Sequence, residues 1–533
     1  MVLDANTQRA LQAALAAGDQ DAAGSIAEAA LSAGQRHAAL YLFSGIRHLR
    51  GGDAPGAVAL LTEADRLQPG QPQTLMSLGD ALRFTGQLFD ARRILEAAIA
   101  LMPDHPAPWY SHAITLEAMG LLGTALGSYA KVAELAPDTA AGHAGMAAVF
   151  AQLGRQDDAR AAAERALAVA PDDPAARIAL ARHHIAESRP DEAIGHLEPM
   201  AWRDDLLPAD QIVALTLLGD ALDSRERHDE AFAAYSAANA RQAAIHDRDG
   251  PSQHLPLVEA ITAAVAAADP AGFAAPAPTE DDTADRHIFL VGYPRSGVTL
   301  VEQVLATAPG VETLEEHPTL TGASERFLHG EGIDALCRID EAEARALRAR
   351  YWDMVRHFGI DPKGKTFVDM EPLKTLQLPL IARLFPTARI VFVRRDPRDI
   401  VWSCFRRSFT ISAATREFSS LERTARHYDA VMRLADTCLS RLPLRVHIVD
   451  YGRLVHDFDA ETQRLCDFAG LAWSTAMRRF DSTARNRAVS TRSAPQVRRG
   501  LFDGTGQWRR YEQHLAPVLP ILDPWVRKFG YSS

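Results

Sequence analysis

The sequence predicts two architectures in one chain, an N-terminal all-α repeat solenoid followed by a P-loop-like α/β domain with a central parallel sheet. Three observations carry that reading. A 34-residue period runs through the first half. The segment HIFLVGYPRSGVTLVEQVL then places an apolar strand, a glycine-bounded loop and a helix in that order. A second apolar strand, Arg389–Val393, runs into an arginine-rich block. At 533 residues the chain exceeds a single ordinary hydrophobic core.

The period shows at three positions at once. Prolines fall at Pro69, Pro103, Pro137 and Pro171, glycines at Gly52, Gly86, Gly120 and Gly154, and alanines at Ala57, Ala91, Ala125, Ala159 and Ala193, each 34 residues apart. Helix-period segments lie between them, with a small residue at Gly45, Gly79, Ala113, Ala147 and Ala181 where paired helices must touch. Each repeat reads as a helix hairpin: the glycine ends the first helix in a left-handed conformation, and the proline stops the second. Period and positions resemble the tetratricopeptide repeat. Such arrays present a concave face. A peptide or protein partner held in that groove and a homodimerisation or spacer role both stay open. Weaker helix pairs extend the array to Asp247. The expected division is a repeat domain over 1–247, a helix with a Pro-, Ala- and acid-rich linker over 248–285, and the α/β domain over 286–533.

Composition narrows the function classes. With 47% apolar and 23% charged residues the chain is a folding, soluble type. A net charge of -11 argues against a general nucleic-acid binder, which needs a basic excess. Cys337, Cys404, Cys438 and Cys466 form no CxxC pair and no metal-ligand spacing, so free thiols and no metal are expected. The N-terminus lacks a basic region followed by an apolar run, and no stretch reaches the roughly 20 apolar residues of a membrane span. The expectation is a cytoplasmic protein.

The loop after the first strand is the strongest chemical signal. A strand, a glycine-bounded turn and a helix N-terminus point several N–H groups at one spot, which suits a phosphate or sulfate. Gly292, Gly297 and Thr299 have the spacing of GxxxxGK[ST], but Val298 stands in the lysine position. A P-loop kinase loses its phosphate-binding lysine there. The run Arg295, Ser296, Gly297, Val298, Thr299, Leu300 is the expected cradle, with Arg295 as a fixed cation. In ARIVFVRRDPRDIVWSCFRRSF, Arg395 leaves a strand end and is expected to converge with Ser403 and Arg407 on a second anion, the latter two sharing a face if the segment from Pro397 is helical. Two separated anion sites suit a nucleotide charged at both ends.

PRSGVTL, RRDPRDIVWSCFRR, VDYGRLV and SAPQVRRG with GQWRRY, in that order over about Asp285–Tyr531, resemble the PAPS-dependent sulfotransferases, in particular the tyrosylprotein type and its bacterial tetratricopeptide-linked relatives. The resemblance implies transfer of a sulfuryl group from 3'-phosphoadenosine-5'-phosphosulfate (PAPS) to an acceptor hydroxyl, a peptide tyrosine among the candidates, with PAP as product and no metal. It implies that Arg295, Ser296, Gly297 and Thr299 hold the 5'-phosphosulfate and that Arg395, Ser403 and Arg407 hold the 3'-phosphate. It also implies that Tyr451, Ser493, Arg498 and Arg499 close over the nucleotide. Glu316, 21 residues after Arg295, matches the family's base, with Glu315 as second choice and His317 as third.

Three positions depart from the family pattern. Met370 replaces a lysine that contacts the bridging oxygen, and Lys374 is the expected substitute; Val298 replaces a threonine and Gly452 an acid. The alternative function is a nucleotide-binding scaffold without turnover whose repeats bind protein partners. Acceptor specificity is expected in variable loops such as 330–357.

Overall fold

The computed structural model describes residues 3–247, 250, 252–274, 284–409, 412–486 and 500–532. It divides into two compact units, Met1–Arg225 and Glu226–Ser533.

The first unit is a run of antiparallel helix pairs, such as Pro72–Phe84 with Leu88–Leu101 and Pro106–Ala118 with Leu122–Leu135. The expected hairpins are present. Gly52, Gly86, Gly120 and Gly154 all have positive φ, between 73° and 84°, just after the first helix of a pair. The periodic alanines Ala57, Ala91, Ala125, Ala159 and Ala193 are fully buried. The small-residue position is a close helix contact: a Cβ built on Gly45 would lie 2.7 Å from Leu61 Cγ, and one on Gly79 2.6 Å from Leu95 Cγ. Each pair buries its apolar stripe against the next, which is why the sequence repeats.

The second unit is built on five parallel strands, β1 (Arg286–Gly292), β2 (Val311–Glu315), β3 (Thr366–Met370), β4 (Arg389–Arg394) and β5 (Arg445–Asp450), in the order β2-β3-β1-β4-β5. Alternation along β1 sends Ile288 and Leu290 to one face, where they pack with Val301, Val304 and Phe480. His287 and Phe289 go to the other, into an aromatic cluster with Tyr351 and Phe385. Both faces are thus covered, as parallel sheets require. No helix among the described residues is long and apolar enough to cross a membrane.

One stretch differs from the expected division. The helix His228–His246, expected in the repeat domain, belongs to the second unit. Its Asn239 amide donates to Phe405 O at 2.8 Å, and Asp247 just beyond it pairs with Arg416 and Arg423 at 3.0 and 3.3 Å. The helix expected within 248–285 is His254–Ala267, and it buries Val258, Ile261 and Val265 completely. An apolar stripe without the 34-residue period cannot say which core it faces. The segment 330–357, expected as variable loop, is mainly the helices Gly332–Arg338 and Glu341–His357.

Gly79→Val places branched carbons against Leu95, itself fully buried and unable to yield. The expected outcome is a loss of roughly 1–3 kcal/mol from overpacking, read as a lower midpoint for the first unit in thermal unfolding followed by circular dichroism. An unchanged midpoint would show that the helices separate there without cost.

Candidate functional site

Strand register brings the candidate residues to one edge. Gly292 is level with Val393, Leu290 and Glu315 with Met370, and Arg394 with Asp450. The residues that follow the five strands therefore emerge side by side at the carboxyl ends, where ligands of open α/β sheets bind. Read across the sheet from β2 to β5, they are Glu316, Glu371, Tyr293, Arg395 and Tyr451.

The loop after β1 is held by bonds to almost every residue. Thr375 Oγ1 donates to Gly292 O at 2.6 Å, Cys404 Sγ to Pro294 O at 3.5 Å, and Arg395 Nη1 to Arg295 O at 3.2 Å. Tyr293 OH lies 2.7 Å from His427 Nδ1, and His427 Nε2 lies 2.9 Å from His254 Nδ1. A neutral His427 can accept from the tyrosine and donate to His254. Gly297 caps the helix Val298–Leu305 at φ 110°, where a Cβ would stand 2.6 Å from the Tyr451 ring. Only glycine fits that turn without strain. The first N–H groups of the helix have no intrahelical acceptor and face the loop. Leu300 can contribute only its backbone, because its side chain is in the core.

The cradle has the chemistry of an anion site. Ser296 Oγ is buried and has no hydrogen-bond partner among the described residues, and the same holds for Arg395 Nε. Arg295 Nε donates to Ser403 Oγ at 3.0 Å. Burial, and after it the nearby Arg407, push the Arg295 guanidinium down to about 9; Arg395 and Arg406 add to the effect. Such a cluster of like charges gains from an anion between them. The helix Pro397–Phe405 ends before Arg407, so Ser403 and Arg407 do not share a helix face as expected; the Arg407 amide instead bonds Cys404 O at 3.3 Å in a tightened last turn. Arg395 lies 4.7 Å from the centre of the Tyr451 ring and donates to Gly504 O. Tyr451 OH donates to Phe502 O at 2.7 Å, and Asp399 accepts from the Gly506 and Trp508 amides at 2.8 and 3.0 Å. The segment from Phe502 to Trp508 is thereby fastened over the arginine. Ser493, Arg498 and Arg499 lie outside the described residues.

Beside the cradle is a cleft of about 240 Å³, with Arg295, Gly297 and Thr299 on one wall and Glu316 and Glu371 among its other lining residues. The Glu316 amide donates to Met370 O at 2.7 Å. Glu316 has φ 50° and Arg295 φ 69°, two of only four non-glycine residues with positive φ among those described. Backbone in that region costs of order 1–3 kcal/mol and collects at functional sites. Glu315 is the last residue of β2 and is not part of the cleft wall. His317 points elsewhere: its Nδ1 is 2.5 Å from Glu315 O and its ring stands edge-on to Phe358.

Lys374 is placed differently from the expectation that it replaces the missing lysine. It is fully buried, with Nζ 2.6 Å from Asp369 Oδ1, 3.2 Å from Glu371 Oε2 and 3.0 Å from His317 O. Its charge is spent inside the protein. Met370 is buried in the core beneath the cleft. Sequence reading missed Glu371, Asp399 and Gly504. The first two were visible as acids in VDMEP and RRDPRD, but nothing there showed which way they point.

Comparison with known proteins gives a family match in each unit. Residues 287–475 match the family model described as Sulfotransferase family, and 150–205 match Tetratricopeptide repeat. Residues 287–475 form a sulfotransferase-family domain. An uncharacterized protein of Aquifex aeolicus (strain VF5) is 28% identical over 46% of this chain and 33% of its own length. A putative protein-tyrosine sulfotransferase of Caenorhabditis briggsae is 26% identical over 36% of this chain and 67% of its own. Protein-tyrosine sulfotransferase 1 of Danio rerio is 26% identical over 36% and 54%. The chain thus spans between a third and two thirds of the length of these relatives. Among the described residues no group of three or more His, Cys, Asp or Glu is arranged to hold a metal ion.

Burial, and after it His254, push His427 down from 6.5 to about 3. Below 6.5 the unfolded chain takes up a proton that the folded site refuses, so stability is lost as pH falls through that value. His427→Gln is expected to flatten the decline in urea midpoint between about pH 7 and 5. An unchanged slope would mean that the Tyr293 anchor does not titrate in this way.

Proposed function

We propose that the second unit transfers a sulfuryl group from PAPS to an acceptor hydroxyl, in the cleft shared by Arg295 and Glu316. The observation that carries this reading is one cleft joining two halves. One half is the loop of Arg295, Gly297 and Thr299, with the fully buried Ser296 hydroxyl behind it, and the other holds Glu316 at the end of β2, two strands from β1. The sulfotransferase-family match supports it.

In this reading Arg295, Ser296, Gly297 and Thr299, with the amides of Val298 and Leu300, hold the 5'-phosphosulfate. Arg395, Ser403 and Arg407 hold the 3'-phosphate beside Tyr451. The roles of Ser493, Arg498 and Arg499 rest on family resemblance alone. When bound, the donor supplies the sulfuryl group and is released as PAP. Glu316 removes the acceptor hydroxyl's proton as the oxygen attacks, and Arg295 stabilises the charge that builds on the sulfuryl oxygens. No metal takes part in this scheme. Lys374 acts from within the protein by fixing Asp369 and Glu371.

A peptide tyrosine is the first acceptor to test, because two relatives bear that name. The repeat array then supplies a groove for the peptide or protein that carries it. Four free thiols suit a reducing, cytoplasmic setting. The buried Met370 and the internally paired Lys374 favour a second reading, a nucleotide-binding scaffold without turnover.

Purified full-length protein is expected to move labelled sulfate from PAPS to at least one member of a panel of tyrosine peptides and other hydroxyl acceptors. Glu316→Gln should lower the rate by about 10²–10⁴-fold while leaving PAP binding in calorimetry intact. Tight PAP binding with no transfer to any acceptor assigns the scaffold instead. Absence of PAP binding sinks both.

A further inference from the structure

Glu371 is the residue of the cleft that the reading above leaves without a task. It follows β3 directly, one strand over from Glu316, so two carboxyls line the same small space beside Arg295. Behind it is a closed set of charges. Asp369 is fully buried and accepts from Lys374 Nζ at 2.6 Å and from the Thr319 and Tyr351 hydroxyls, each at 2.9 Å. Lys374 is also fully buried and lies 3.2 Å from Glu371 Oε2. Two acids thus share one base. With both acids ionised the group carries a net negative charge in a protein interior, which is costly. One proton on the acid side makes it neutral.

The position of that proton follows from the bonds. Asp369 receives three donors and has no need of it. Glu371 pairs with Lys374 at 3.2 Å, lines the cleft, and has a side chain 31% exposed. Burial raises the Glu371 carboxyl above its ordinary value, against the opposing pull of Lys374, and Asp369 adds to the rise. His317, the other titratable group near it, has its ring turned to Glu315 O. Glu316 and Arg295 are the groups facing it across the cleft.

We infer that Glu371 is a second catalytic carboxyl, a proton donor to the oxygen that departs when the sulfuryl group is transferred. This inference rests on the function proposed above. The sulfur–oxygen bond to the departing phosphate breaks as the bond to the acceptor oxygen forms. Glu316 gains the acceptor's proton, and Glu371 gives its own to the departing oxygen. Glu371 is left as a carboxylate 3.2 Å from the Lys374 ammonium, which stabilises it until exchange with water restores both glutamates. One proton enters the pair and one leaves, so the cycle balances. The two carboxyls divide acid and base work because the buried charge set behind Glu371 holds a proton on it.

The test is calorimetric titration of the full chain with PAP at a series of pH values from about 7 to 10, in buffers of different ionisation enthalpy, which counts protons taken up on binding. Where free Glu371 keeps its proton, none is taken up there on binding; at the alkaline end, where free Glu371 has ionised, wild type is expected to take up about one proton more than Glu371→Gln, because the bound phosphate oxygen shares a proton that glutamine cannot carry. Glu316→Gln should keep the wild-type count. In pH–rate profiles, loss of activity at alkaline pH should disappear in Glu371→Gln, with kcat lower by about 10²–10⁴-fold. Equal proton counts in wild type and Glu371→Gln at every pH of the series, with PAP bound by both, would overturn the inference and leave the sulfotransferase reading standing. Failure of wild type to bind PAP would overturn both.

Discussion

Because β1 pairs with β3 on one side and β4 on the other, with Leu290 level with Met370 and Gly292 level with Val393, the segments after all five strands leave the sheet along one line. Neighbouring strands are roughly 4.8 Å apart, so residues distant in sequence meet without any long side chain having to reach. The line is also ordered by charge. Acids follow β2 and β3, the loop of backbone amides follows β1, and Arg395 follows β4. An anion is favoured at the basic end of that gradient, and the carboxyls stand at the other. Shifting any strand by one residue would turn its chain of side chains over and break the order.

Holding the line in place takes more than the sheet. The β1 loop and Glu316 adopt backbone conformations that cost energy, and hydrogen bonds from three different segments, at Thr375, Cys404 and Arg395, hold the loop. Asp369 plays the same part on the acidic side, tying β3, Thr319, Tyr351 and Lys374 to one carboxylate. Both halves of the cleft are therefore rigid before any ligand arrives, which is what efficient transition-state stabilisation needs. The fastened segment from Phe502 to Trp508 adds a polar wall over Arg395, built from backbone carbonyls that need no particular side chain.

Much of this was legible in the residues. The 34-residue repeat gave helix pairs, their contacts and their glycine turns, because periodic packing writes itself into sequence. The cradle was legible because a strand, a glycine turn and a helix in sequence have few structural solutions. Lys374 was not. Its spacing from Met370 suggested a substitute, yet the turn after β3 points it inward to Asp369, and direction within a short 3-10 turn leaves no periodic trace. Glu371 was missed for the same reason. Asp399 sat in a run of charges that reads as a solvated helix start, while its real partners are amides more than a hundred residues later.

The helix His228–His246 bears on how this chain can be taken apart. Its buried alanines recur at helical spacing like those before it, yet its asparagine satisfies a carbonyl of the helix that carries Ser403, and the aspartate after it neutralises two arginines of the same unit. An array exchanged for another at residue 225 leaves the second core whole. One exchanged at 247, where the helix ends, strips that core of a wall and exposes buried polar groups. The chain is modular, but its seam falls where composition does not change, and the acid-rich stretch that looks like a hinge lies downstream of it.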